Sequence, residues 1–257
     1  GWSADAMVNS NIAKKDLDTE MTVVRNEYEM GENKPVSVMV KRMQGILFDW
    51  HAYGRNTIGA RSDIENVPIE NLQAFYHKWY QPDNAVLTVS GKFDETKVLT
   101  WITETFGKIP RPTRVLPAEW TVEPVADGPR YFEIRRPGES QLVAVGYRIP
   151  SAIAADNNAV ETAVDVLSSA PRGRLYKALV ETGMAGQVFG WAMSAKCPSF
   201  VMFGAMVKKG DDIERVKNVL INTVENAFKK TPADETEVGL SLAEAATDFE
   251  RTLSDPE

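Results

Sequence analysis

QVFGWAMSAKCPSFVMFGAMVK, at Gln187–Lys208, reads as two strands, about Gln187–Ala195 and Phe200–Lys208, with Cys197-Pro198 in the turn between them. Upstream lie two more strand segments, Arg130–Arg136 and Gln141–Ile149, joined by a Pro137-Gly138 turn. Two helices follow them, about Asn157–Ser168 and Arg172–Thr182. Downstream, Asp211 is placed to cap a helix running to about Lys230, and Asp234–Leu253 is a last helix. The order ββααββαα predicts a largely antiparallel sheet with helices packed on one face, an α+β fold rather than a doubly wound one.

The first half is different. Residues 4–12 read as a short helix, and Lys14–Asn33 (KKDLDTEMTVVRNEYEMGEN) as a longer amphipathic one, capped by Asp16 or Asp18 and stopped by Gly31, Asn33 and Pro35. Val36–Asp49 carries Val36, Val40, Met43 and Leu47 near helical spacing. His51–Asn66 is polar, with Gly54 and Gly59, and reads as a loop. Pro68 suits the first turn of a helix at Ile69–Tyr80, whose Leu72, Phe75, Tyr76 and Trp79 form an apolar face expected in a core. QPDN is a turn, Ala85–Ser90 (AVLTVS) a strand rich in β-branched residues, and Asp94 the cap of a helix to about Phe106. Prolines 110, 112, 117, 124 and 129 then crowd a stretch without apolar period. The expected division is one domain at 1–112, a proline-rich linker at 113–128 and a second domain at 129–257.

The formal charge of −7 points to neither nucleic acid nor an anionic membrane. No apolar run reaches the length of a membrane span. A single cysteine, Cys197, rules out an internal disulfide. Both ends read as interior to helical patterns, so the chain is expected to be part of a longer protein.

Glu20 and Glu27 are seven residues apart, so they share one helix face two turns apart, with Val24 between them. Their backbones are then roughly 10 Å apart along the axis. Zinc bonds are about 2 Å long, so one ion would take only one of the two. From spacing alone, a plain charged helix surface is the more ordinary reading. Arg172-Gly173-Arg174 reads as a solvated helix terminus, and His51 and His77 as structural residues.

Several stretches carry a resemblance: Asp18–Glu29 (DTEMTVVRNEYE), Phe75–Gly91 (FYHKWYQPDNAVLTVSG) with Phe93-Asp94, Phe106–Pro110 (FGKIP) and, more weakly, Arg174–Glu181 (RLYKALVE) and Thr247–Glu257 (TDFERTLSDPE). In this order they resemble the pitrilysin/insulinase family of zinc metallopeptidases, particularly its bacterial members. The resemblance implies two related α+β units of the processing-peptidase type. It also implies a zinc held by an inverted His-x-x-Glu-His motif and a downstream glutamate. Glu27 matches that third zinc ligand, and Glu20 matches the assisting carboxylate. The implied activity is endopeptidase cleavage of peptides or small proteins by a zinc-activated water. A second family half, in the same chain or a separate subunit, is the implied partner, closing a chamber around the peptide substrate.

Neither His51 nor His77 is followed by Glu-His, so the zinc histidines and the general base are expected upstream of residue 1. These residues alone are expected to hold no zinc and to cleave nothing. Positions where the family carries a substrate-holding arginine and tyrosine are Val180 and Gln187 here, which fits a non-catalytic second domain. The other reading is a structural or assembly subunit of the same fold. Retention of both glutamates argues against it.

Overall fold

The computed structural model describes residues 1–254; the last three residues of the Thr247–Glu257 stretch lie outside the described residues. The chain forms two compact units. One gathers Gly1–Glu32 and Thr57–Thr121, the other Asn33–Asn56 and, among the described residues, 122–254.

The second unit is built on a three-stranded antiparallel sheet in the order β1 (Ser140–Ile149), β3 (Ser199–Lys208), β2 (Gln187–Ala192). The β1–β3 register pairs Ser140 with Lys208 and Ile149 with Ser199, and the β2–β3 register pairs Gln187 with Met206. Central β3 is covered on both faces, which is why it reads as a continuous apolar run rather than an alternation. Its Val201, Phe203, Ala205 and Val207 share a core with Leu167 of α7 (Asn157–Ser168) and Val216 and Leu220 of α8 (Ile213–Lys230). Phe200 and Met202 face the other way, onto Met43 of α3 (Pro35–Leu47) and Phe48 just beyond it. Helices of the C-terminal half therefore take one face of the sheet, and α3 covers the other. Each large side chain so buried contributes about 1.5–3 kcal/mol.

Glycines set how closely the layers approach. A Cβ on Gly146 of β1 would lie 2.5 Å from Met43 Sδ, so α3 packs directly on the strand backbone. Gly204 lies beneath the ring of Phe189, its register partner.

Helix ends follow local chemistry, sometimes one residue from the expected place. Asp212, not Asp211, caps α8, accepting from Arg215 N at 3.0 Å. Asp234 and Glu237 form a reciprocal capping box before α9 (Glu235–Ser254). The Arg172–Thr182 helix is shorter than expected and contains a π-helical turn at Tyr176–Val180. Its two arginines are not solvated. Arg172 pairs with Asp165 and Glu244, both at 2.6 Å. Arg174 pairs with Glu237 and donates to the carbonyls of Ala227 and Thr231 at the end of α8.

The first unit contains α1 (Trp2–Val8), α2 (Lys14–Glu32), α4 (Arg61–Asn66), α5 (Ile69–Trp79) and α6 (Glu95–Thr105). α2 begins at Lys14, so Asp16 lies in its first turn and Asp18 inside it, and neither is the cap. α4 lies in the stretch expected to be a loop; it is fixed by buried Ile64 and an Arg61–Glu65 pair one turn apart. Tyr76 of α5 is buried, and its hydroxyl bridges Ala6 O and Ser10 N, each at 2.9 Å. The rest of its expected apolar face is less buried: Leu72 and Trp79 are half-buried and Phe75 is exposed. Asp94 caps α6 as expected, accepting from Lys97 N. Ala85–Ser90 and Arg130–Arg136 are not strands here, because neither has a ladder partner among the described residues. No helix among the described residues is long and apolar enough to cross a membrane.

Gly190 of β2 offers a direct test of the packing, since an added Cβ would sit 2.7 Å from both Ser168 Cβ at the end of α7 and Phe203 Cδ1. Gly190→Ala is expected to cost about 1–3 kcal/mol by overpacking. Urea unfolding should show a lower midpoint with an unchanged slope; an unchanged midpoint contradicts the close α7–β2 approach.

Candidate active-site helix

α2 presents two different faces. Leu17, Met21, Val24, Arg25 and Tyr28 are half-buried. Several of these line a cleft of about 440 Å³, with Ile64 and Val67 on its α4 side. Glu20 and Glu27 lie on the exposed flank, together with Val23 and Met30, which are 55% and 60% exposed.

The neighbours one turn away from the two carboxylates are unusual for a charged helix. For Glu20 they are Asp16, Leu17, Val23 and Val24; for Glu27 they are Val23, Val24, Met30 and Gly31. None is a cation. Neither the Glu20 nor the Glu27 carboxylate has a hydrogen bond or ion pair among the described residues. Other acids of the same helix do: Asp18 pairs with Lys14 at 3.4 Å and Glu29 with Arg61 at 3.8 Å.

The histidines are elsewhere. His51 belongs to the second unit, where its Nδ1 accepts from Tyr53 N at 3.2 Å and its ring packs 4.3 Å from that of Tyr53. His77 is on α5, exposed, its ring 5.2 Å from that of Tyr76. Among the described residues no group of three or more His, Cys, Asp or Glu gathers closely enough to hold a metal ion. A catalytic zinc takes three protein ligands, so the residues present do not by themselves fit one. Val180 lies in the π-helical turn and Gln187 opens β2 opposite Met206; neither brings a charge to a site.

Residues 66–241 match the family described as the Peptidase M16 inactive domain. The chain belongs to the M16 peptidase family. It is 24% identical over 230 residues to the zinc protease PqqE of Helicobacter pylori, covering 88% of this chain and 52% of that protein. It is 26% identical over 188 residues to an uncharacterised zinc protease of Mycobacterium bovis, covering 72% and 43%. The chain thus spans about half the length of these curated relatives. Among solved structures, a protease from Helicobacter pylori shares the fold with a TM-score of 0.87 at 22% identity, over 98% of this chain and 62% of that one. A chain of complex III from Candida albicans shares it too, at 0.78 and 14% identity, over 97% and 59%. The same fold therefore occurs in a complex III assembly as well as in a protease. Glu20 and Glu27 lie N-terminal to the residues matched as the inactive domain.

Within the M16 match, the most heavily engaged carboxylate is one that sequence reasoning passed over. Glu123 lies in the proline-rich stretch, with no motif around it. Its oxygens accept from the backbone amides of Asp49 (2.6 Å), Trp50 (3.0 Å) and His51 (2.8 Å) and from Arg148 (2.9 Å). Arg148 also donates to the carbonyls of Leu47 and Pro124. Beside it, Arg130 grips Asp49 with both terminal nitrogens and donates to Ile46 O. Burial pushes the Glu123 carboxyl up, but the three amides and Arg148 outweigh it and hold the group below its usual value.

A carboxyl lowered on folding stabilises fully above the unfolded-state value, and that stability is lost as pH falls through the folded-state value. Glu123→Gln, which removes the charge, is expected to cost about 1.5–3 kcal/mol at pH 7. The gap between the two proteins should begin to close as the pH falls below the unfolded-state carboxyl value of about 4.5, and close fully only once it falls below the lower folded-state value of wild-type Glu123. Urea midpoints from pH 7 down to pH 3 test this; a gap that stays constant across the range contradicts it.

Proposed function

We propose that this chain is part of a zinc-dependent metalloendopeptidase, in which Glu27 is one zinc ligand and Glu20 an assisting carboxylate beside it. The observation that carries the reading is the exposed pair on α2, two turns apart and without a cationic neighbour, in a chain of the M16 family. The names of the curated relatives support zinc proteolysis by the complete protein. The remaining ligands and the general base come from polypeptide outside these 257 residues, so this stretch alone is inactive. Peptides or small proteins are the substrates, and a second family half is the partner. Glu27 contributes an anionic oxygen to the metal. Glu20, too distant along the helix to share the ion, orients the surroundings of Glu27.

The test uses the complete protein. One equivalent of zinc is expected, together with hydrolysis of a fluorogenic peptide. Glu27→Gln should lose the zinc and the activity. Glu20→Gln should keep the zinc and lower kcat by about 10–100-fold, as loss of a supporting partner does. A complete protein without stoichiometric zinc, or a Glu27→Gln protein that keeps it, sinks the assignment and favours a structural subunit.

A further inference from the structure

We propose that residues 115–122 are a proteolytic processing site, and that a chain cut there stays one folded, non-covalent complex. The chain passes from the first unit to the second in this segment. It is pinned on either side. Arg114 holds Asp83 with two hydrogen bonds of 2.9 Å within the first unit. Glu123 holds the backbone amides of residues 49–51 within the second. Between the pins there is no helix, strand or turn, and residues 117–122 are all exposed. Val115 is 90% exposed, Trp120 79% and Val122 77%. Exposed irregular segments are where chains are nicked, because an endopeptidase must bind its substrate backbone in extended form. Hydrolysis adds one water across a single peptide bond, leaving a new carboxylate on one fragment and a new amine on the other.

The path of the chain keeps the two fragments together. A cut at 115–122 leaves residues 33–56 on the upstream fragment and the sheet of the second unit on the downstream one. Met43 and Phe48 are buried against Phe200 and Met202, so this core contact crosses the cut. The hydrogen bonds of Glu123 to residues 49–51, of Arg130 to Asp49 and of Arg148 to Leu47 O cross it too. Departure of the upstream fragment would open one face of β3 to water and strip Glu123 of its three amides. The covalent link through 115–122 therefore supplies connectivity, while α3 and the residues just after it supply the attachment. The proposal does not rest on zinc.

The test inserts the recognition sequence of a site-specific endopeptidase between Ala118 and Glu119 of the complete protein. Cleavage without denaturant is expected to go to completion. The two fragments should then co-elute at the mass of the uncut protein and separate only in denaturant. Fluorescently labelled upstream fragment, added to the cut complex, reads how fast the fragments exchange. Glu123→Gln should speed that exchange about 10–100-fold, the rate equivalent of a lost hydrogen bond to a charged group. Phe48→Ala, a second and purely apolar variant, should speed it by about 100-fold or more. None of these readouts uses zinc or activity, so failure here is separable from failure of the peptidase reading. A segment that resists cleavage, fragments that part once cut, or an exchange rate unchanged in either variant overturns the proposal.

Discussion

Burial of β3 on both faces is the constraint from which the second unit follows. A strand with Phe200 and Met202 on one side and Val201, Phe203, Ala205 and Val207 on the other needs a layer above and a layer below. Helices α7 and α8 supply one layer from the same half of the chain. The other layer is α3, separated from β3 by about 150 residues of sequence. That is why residues 33–56 belong to the second unit although the residues on either side of them belong to the first. The close seat on Gly146 follows from the same demand, since any side chain there would lift Met43 off the sheet.

A chain threaded between units leaves irregular stretches with backbone groups to satisfy. Residues 48–51 and 122–130 have no regular ladder, yet they and the end of α3 are tied together by charge-assisted hydrogen bonds from Glu123, Arg148, Asp49 and Arg130. Hydrogen bonds to ionised groups are roughly twice as strong as neutral ones. Four side chains thus fix a junction that would otherwise require a strand or a helix. Arg174 does the same for the end of α8, closing carbonyls that the helix leaves without partners.

What the sequence revealed was what local chemistry decides. The bounds of α7, the Asp94 cap, and strands β1 and β3 were legible because period, cap and apolar run are properties of neighbouring residues. The shared face of Glu20 and Glu27 was legible for the same reason. Features set by distant partners were not legible. AVLTVS has strand chemistry, but a strand exists only when another backbone pairs with it. α4 was hidden because its single buried residue, Ile64, makes no visible period in six residues. Glu123 was hidden because nothing next to it in sequence announces the three amides it holds, more than 70 residues away.

The α2 carboxylates stand at the opposite limit from Glu123. Two charges about 10 Å apart in water repel by only about 0.4 kcal/mol. An added cation one turn away from each would contribute about 0.3–0.5 kcal/mol. Leaving Glu20 and Glu27 exposed and unpaired therefore costs the fold almost nothing, and neutralising them would gain it little. Stability does not explain their arrangement, whereas it fully explains that of Glu123. The distinction separates a carboxylate whose hydrogen-bonding capacity is already used within the chain from two that keep theirs free. Only the second kind has lone pairs available to a metal or to a group ordered beside one. Were one of them to bind a metal ion, their separation along the helix face would leave the other outside bonding distance of that ion.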